Sequence, residues 1–541
     1  MGFKKIWHGS IDSVGWAAIV IGLSSFISRF LGVFRDRILA GQFGAGDELD
    51  AYYAAFRVPD LIYNLLVLGA LSAGFVPIFI SLLNEEKDEQ KKDAWRFANL
   101  VANSLLIILV VLGVAGVIFA PQLLHLLTPG FSPEKLAQTV QLSRLMFLSP
   151  IFLGLSGVAG GILQSFKSFF VYSLSPIFYN LGIIAGALFL APRFGLIGLA
   201  WGVVIGAALH LLVQIPTLKH FGYNWQPIVD WRDSQLRKIG RIMVPRTLGL
   251  AVGQLNLLSM TVIASGLASG SLAVFNLANN LQSFPVGIFG LSLAVAAFPT
   301  MSALVNQPDK LRDSLTKTIR QALFLLIIST ILIISLRAQI VRVILGSGCF
   351  DWRDTILTMR TLSYFGISIF AQALIAILTR VFYAHKDSMT PFWIGLLSTV
   401  INIILAWFWK DYLGVAGLAL AFSVSNLINL GLLWLILNLR TKVLATAKIF
   451  EGVWKMLVAA GIAWPIIFEI KKLIAPIVDM NKFWGVAGQL IGSATVGVVV
   501  YLVIGLILNC SEAQQIVSLI KRRWPRNKSL TVVDSEQARG L

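Results

Sequence analysis

Charge is what this sequence is short of. Only 13% of its 541 residues are Asp, Glu, Lys or Arg, about half the share found in an average soluble domain. Cysteine is scarcer still: Cys349 and Cys510 stand far apart, too few for a disulfide framework or a thiolate metal set. Five histidines (His8, His125, His210, His220 and His385) show no ligand spacing. There is no Walker lysine motif, no H-E-x-x-H and no nucleophile elbow. Nothing therefore points to an enzyme, to ATP as a direct energy source, or to a bound cofactor or metal. No cleavable signal peptide is expected either, because Met1 to Ser10 is polar and the first apolar run is too long for an h-region.

What the chain has in abundance is apolar surface. It is 57% hydrophobic with a mean hydropathy of +0.80, and many runs approach the ~20 residues a helix needs to cross a bilayer. This excludes a soluble globular enzyme and a disordered chain. It also argues against an outer-membrane barrel, whose strands alternate polar and apolar in short segments. The expected fold is all-α and polytopic, with fourteen spanning segments near 13–36, 51–83, 97–120, 143–163, 170–191, 194–216, 243–266, 271–304, 319–336, 356–383, 391–409, 413–438, 453–470 and 484–508. Segments 2 and 8 are long and hold two prolines each, Pro59 with Pro77 and Pro285 with Pro299, so both are expected to bend or break.

The net charge of +18 sorts by loop. Lys4, Lys5, Lys91, Arg96, Arg237, Lys238, Lys310, Lys317, Arg440, Lys448 and the tail Lys521 to Arg526 fall on the face of the N-terminus, and the opposite loops are poorer. By the positive-inside rule both termini face the cytoplasm. The rule accounts for the basic excess without a nucleic-acid partner. The tail either rests on anionic headgroups or is a solvated topology anchor.

An internal repeat divides the chain. Leu163 lies thirteen residues before Pro176, and Leu378 thirteen before Pro391. Each proline is followed by one apolar segment and a G-x-x-G-L-A signature, Gly195 to Ala200 and Gly414 to Ala419. The offsets are 215 residues at the prolines and 219 at the glycines. Six helices separate the copies, an even number, so the copies are parallel repeats. The expected organisation is an N-lobe over 1–220, a C-lobe over 235–440, two further helices within 450–508 and a basic tail over 509–541. Transporters of this build bind substrate between the halves and alternate access by rocking.

The first two segments carry the informative charges. Arg29 sits inside segment 1, where a cation costs about 2.5–3.5 kcal/mol on insertion scales. It is either paired with an acidic residue or faces a cavity that takes an anion, for which the planar guanidinium fork suits phosphate. Arg35 follows six residues later, about 120° away on the helix, so the two share a target only through side-chain reach or a bend at Gly32. Asp36, Asp47 and Asp50 are available as counter-charges, Arg37 reads as an interfacial anchor, and Asp50 also suits a helix N-terminus. Arg57 and Asp60 bracket Pro59 at a spacing that lets them pair. In segment 8, Asn276, Asn280 and Ser283 share a face, as interhelical glue or as a polar cavity wall. Arg246 is either a second-half cation of the cavity or an interfacial anchor.

The run Ser28 to Asp36, with Phe43-Gly44-Ala45, Leu49-Asp50-Ala51-Tyr52, Phe56-Arg57-Val58-Pro59 and Gly69-Ala70-Leu71-Ser72 through Phe75-Val76-Pro77, resembles the opening of the MurJ/MviN family of lipid II flippases. Phe284-Pro285 with Gly287, Arg380 with Phe382-Tyr383-Ala384, and Thr390-Pro391 extend the resemblance into the second half. It implies a protein of the bacterial cytoplasmic membrane, expected as a monomer, that moves the undecaprenyl-pyrophosphate-linked disaccharide-pentapeptide from the inner to the outer leaflet. It also implies a cationic cavity between two six-helix lobes, and a groove for the lipid tail made by the last two helices, with membrane lipids around it. Arg29 and Arg35 fall on the family's cavity arginines and Asp50 on its segment-2 aspartate; Asp36, Arg57 and Asn280 complete the expected substrate-binding set. The sequence departs from the family where Asn280 and Tyr63 replace arginines and Leu68 a glutamate. Of a sodium site found in some relatives only Asn402 is kept, with Ser259 and Ala406 at the carboxylate positions. Two other readings follow from these departures: export of another polyprenyl-linked glycan or amphiphile, or a non-transporting membrane scaffold.

Overall fold

The computed structural model describes residues 14–68, 74–83 and 88–523. The Gly69 to Ser72 motif, the Arg246 side chain and the tail beyond Arg523 lie outside the described residues. Every regular element among the described residues is a helix, the form that satisfies backbone donors and acceptors within one segment in lipid. In the first half these are α1 Val14–Phe43, α2 Asp47–Tyr63, α3 Val76–Leu83, α4 Asp88–Leu127, α5 Pro133–Met146, α6 Leu148–Ser165, α7 Phe169–Ala185, α8 Leu196–Leu212 and α9 Ile215–His220. The second half has α10 Ser234–Ser265, α11 Ser271–Pro285, α12 Ser292–Ala303, α13 Pro308–Ser335, α14 Arg337–Ile344, α15 Trp352–Gly366, α16 Ile369–Ala384, α17 Met389–Leu413 and α18 Val415–Thr441. The chain continues with α19 Thr446–Ile474, α20 Phe483–Ile507 and α21 Ser511–Arg523.

Ten of the described helical stretches are long and apolar enough to cross a membrane, or eleven if α15 and α16, bent by 42° at their junction, form one span. The other three expected spans coincide with α1, with the broken segment α2–α3 and with α10, the helices that bring charged and polar side chains inward. Large apolar side chains stand exposed around the bundle, among them Val111, Phe189, Trp454 and Ile491. Exposure on this scale is out of place in water and fits contact with lipid tails.

Segments 2 and 8 are interrupted as their prolines imply. A π-helical turn, Asn64–Leu68, ends α2 after Pro59, and another, Val286–Leu291, follows Pro285 directly. Such turns are frequent at functional sites. The repeated glycine signatures also do the same structural job twice. Gly195 and Gly414 start α8 and α18 with positive φ values of 58° and 59°, a backbone region that favours glycine. The second glycine of each signature lies against main chain, Gly198 on Leu190 and Gly417 on Trp409.

Helix α7, with the π-helical turn Gly186–Leu190 that continues it, meets α8 along a glycine seam that the repeat does not reveal. A Cβ added at Gly182 would lie 2.2 Å from the Gly206 Cα, and one at Gly202 would lie 2.6 Å from the Gly186 Cα. These glycines recur four apart on both helices, the small-residue spacing that lets membrane helices approach closely. Gly202→Val should force the backbones apart, at a cost of about 3 kcal/mol, the upper end of ordinary overpacking. The expected result is a clearly lower thermal midpoint in detergent; an unchanged midpoint would show that the seam opens freely.

Candidate functional site

The expected charges of α1 do meet across the two halves. Arg35 Nη2 donates to Asp36 Oδ1 at 2.8 Å and Nε donates to the same oxygen at 3.1 Å. Arg35 Nη1 reaches Asn180 Oδ1 on α7 at 3.2 Å. The other Asp36 oxygen, Oδ2, accepts from Asn280 Nδ2 on α11 at 2.8 Å. Both oxygens of Asp36 are thus engaged, and the carboxylate is buried. Asn180 in turn donates to Pro176 O at 2.9 Å, a carbonyl that α7 exposes one turn earlier.

Arg29 is different. Among the described residues its guanidinium has neither a carboxylate nor a hydrogen-bond partner. It lies against Gly287, in the π-helical turn after Pro285: a Cβ there would fall 2.2 Å from Arg29 Nη1 and 2.5 Å from Cζ. Arg29 is half-buried. A guanidinium offers five N–H donors in a fixed fork, and here they are held between halves with no acceptor among the described residues. One turn before it, Phe26 meets Phe284 edge to face at 6.4 Å.

Arg57 does not make the local pair with Asp60 that its spacing allows. It donates to Thr261 Oγ1 on α10 at 2.8 Å and to Asn276 Oδ1 on α11 at 2.7 Å. The polar face of α11 is therefore divided, with Asn276 serving Arg57 and Asn280 serving Asp36. Asp50 lies in another place again. It accepts from the backbone N–H of Gly270 at 2.8 Å and of Ala273 at 2.7 Å, capping α11 rather than its own helix, and from Lys135 Nζ at 2.7 Å. Lys135 also binds Asp47 at 2.6 Å.

Asp50 belongs to a seam at the end of the bundle opposite the N-terminus. There Cys349 N donates to Gly41 O at 2.8 Å, and Ala45 N to Asp354 Oδ2 at 2.9 Å. Arg37, expected as an interfacial anchor, donates to the Val343 and Ile344 carbonyls at the end of α14. Gly270, at a φ of +84°, abuts the Ala45 carbonyl. These contacts close the far end between the halves.

Lys135, Asn180, Thr261 and Gly287 were not among the expected site residues. Their partners are 85 to 204 residues away where hydrogen bonds are involved, beyond any local spacing. Asn402, the residue kept from the relatives' sodium site, donates to Asn256 Oδ1 at 2.6 Å, and Ala406 is fully buried.

Comparison with known proteins places these features in context. Residues 39–488 match the family described as Lipid II flippase MurJ. The chain is 31% identical over 437 residues to the lipid II flippase MurJ of Burkholderia cenocepacia, covering 78% of this chain and 84% of that protein. It is 30% identical over 421 residues to the probable lipid II flippase MurJ of Buchnera aphidicola, covering 77% of this chain and 82% of the relative. Among solved structures, a lipid II flippase MurJ in an inward closed conformation superposes with a TM-score of 0.74 at 23% identity, covering 92% of this chain and 100% of that one. An inward-facing multidrug resistance MATE family transporter of the MOP superfamily superposes at 0.65 and 15% identity, covering 79% and 98%. The two structural likenesses establish a shared fold.

Proposed function

Because the chain belongs to the lipid II flippase MurJ family, we propose that it moves lipid II from the inner to the outer leaflet of the cytoplasmic membrane by alternating access, with Arg29 meeting the pyrophosphate. The carrying observation is the Arg29 guanidinium on α1, without a partner among the described residues and packed on Gly287 of the second half. An anion bound there offsets the desolvation of a membrane-embedded cation. It also touches both halves, so it favours the state in which they are close, which is what a ligand must do to shift a conformational equilibrium. Arg35 is the reserve cation: its bonds to Asp36 and Asn180 hold it ready, and Asn280 keeps Asp36 oriented when Arg35 swings toward cargo.

The remaining roles follow from the same placement. Arg57 ties α2 to α10 and α11, so movement at the site is passed to both halves. The far-end seam closes one mouth, and with both termini cytoplasmic this is the outer mouth. The apolar outer faces of α19 and α20, with exposed Trp464, Phe468 and Ile491, offer a path for the lipid tail. The protein acts as a monomeric carrier and not as an enzyme. Three arginines face two carboxylates, Asp36 and Asp60, across this region, a cationic balance that disfavours export of a drug cation. The membrane potential, worth about 2.3 kcal/mol per charge per 100 mV, is available to return the emptied cationic site.

The test is depletion of the protein in intact cells with readout of lipid II accessibility from outside. Exposure should fall; unchanged exposure would overturn the reading. Gly287→Ala offers a finer check. The atoms nearest the added methyl belong to the movable end of Arg29, so the thermal midpoint should hold while lipid II affinity drops about tenfold. Loss of stability without loss of affinity would remove Arg29 from the site.

A further inference from the structure

The first half contains a cavity of about 350 Å³ away from the Arg29 site, at the lower end of small-ligand pockets. Its walls are aliphatic: Ala102 and Leu106 of α4, Leu155 and Ile162 of α6, Leu211 of α8 and Ile215 of α9. Around it, Ile107, Val110 and Val111 of α4 and Leu212 of α8 are exposed apolar side chains, so the cavity sits within the surface that faces lipid tails.

The end nearer the N-terminus is built differently. Lys219 and Trp225 line the cavity there. Lys219 is exposed and has no ion-pair partner among the described residues. Trp225 is fixed by its Nε1–H, which donates to Asn103 Oδ1 at 2.9 Å. The segment carrying it is strapped to α4 by two buried asparagines. Asn99 Nδ2 donates to Asn224 O at 2.9 Å, and Tyr223 donates its hydroxyl to Asn99 Oδ1 at 2.9 Å. Asn103 Nδ2 donates to Gln226 O at 2.7 Å and Ile228 O at 2.9 Å. This strap is the connection between α9 and α10, so the cavity wall is also the link between the two halves.

We propose that this slot holds one acyl chain of an anionic phospholipid from the surrounding leaflet, with the lipid phosphate at Lys219 and the Trp225 indole at the headgroup level. An aliphatic slot takes a hydrocarbon chain; an unpaired ammonium at its mouth selects a negative head over a neutral or cationic one; and Trp is the residue that settles where tails meet headgroups. Occupancy stiffens the strap against α4 and so sets the pivot from which α10 moves. The site is separate from the cargo path and does not depend on what the protein carries.

The experiment uses the full chain in phosphatidylcholine nanodiscs doped with phosphatidylglycerol bearing a photoreactive acyl chain, and maps the adducts by peptide mass spectrometry. Adducts should concentrate on 102–106 and 155–162. Lys219→Glu should lower their yield about fivefold for phosphatidylglycerol, in line with one cation near an anionic surface, and leave a photoreactive phosphatidylcholine unchanged. Leu106→Trp, which fills the slot, should lower both. Adducts spread evenly over exposed positions such as Val111 and Leu212 would overturn the proposal, as would yields indifferent to Lys219→Glu. Lys219 is exposed, so its replacement keeps the test decisive even if Leu106→Trp fails to fold.

Discussion

Arg29→Ala is expected to lower lipid II affinity about 100-fold and to abolish complementation of a flippase-depleted strain, with no loss of folded protein. A bidentate arginine–phosphate contact comprises two charge-assisted hydrogen bonds, each worth about 1.5–3 kcal/mol. Losing about 3 kcal/mol of binding corresponds to roughly two decades in Kd. Stability should not suffer, because Arg29 has no partner among the described residues to orphan and its removal relieves a charge held in the bundle. Arg29→Lys should recover little, since an ammonium keeps the charge but lacks the fork. Binding of purified protein to lipid II, with the thermal midpoint measured alongside, checks both statements. An Arg29→Ala variant that complements and binds normally would remove Arg29 from the cargo site.

Asp50→Ala should open the far end. The substitution strips the cap from α11 and removes one of the two carboxylates that hold Lys135. Loss of a cap costs about 0.5–2 kcal/mol, and breaking a buried pair costs up to about 3–5 kcal/mol. Asp47 still holds Lys135, which brings the expected total to about 2–4 kcal/mol against the closed arrangement. A shift of that size changes the closed-to-open ratio by well over tenfold. Spin labels at the exposed positions Glu48 and Arg353, in a Cys349→Ser background, should report a longer distance in Asp50→Ala than in the parent. Asp50→Asn, which keeps an acceptor for only one of the two N–H groups, should lie between them. Equal distances in all three would show that Asp50 does not hold the seam.

The sequence was most legible where physics acts locally. Apolar runs mark the spans, prolines mark the interrupted helices, and a lone arginine in such a run marks a half-buried cation beside the second half. Glycine pairs at matched offsets mark two helix starts with the same backbone geometry. Long-range partners were not legible. Arg57 looked like the partner of Asp60 because the two are one turn apart, yet it reaches Thr261 and Asn276. Asp50 opens a helix and so looked like its cap, yet the helix it caps begins at Ser271. In both cases the residue type announced a need, for an acceptor or for an N-terminus, and only the packing of the two halves decided which one was met. The α7–α8 seam was hidden for a related reason: Gly is common in membrane helices, and its spacing gains meaning only when a second glycine row faces it.

The far-end seam has a consequence for how this protein tolerates change. Of the groups that join there, the Gly41 and Val343 carbonyls and the Cys349, Ala45, Gly270 and Ala273 amides are main-chain atoms. Side chains at 343 and 349 are therefore free to differ without touching a single one of these bonds. Systematic truncation to alanine would pass over most of the joint in silence. Bulk is what it cannot absorb: a methyl at Gly348 would press on the Gly41 carbonyl, and one at Gly270 on that of Ala45. The far end is thus guarded by the absence of atoms at two positions more than by the presence of chemistry at many.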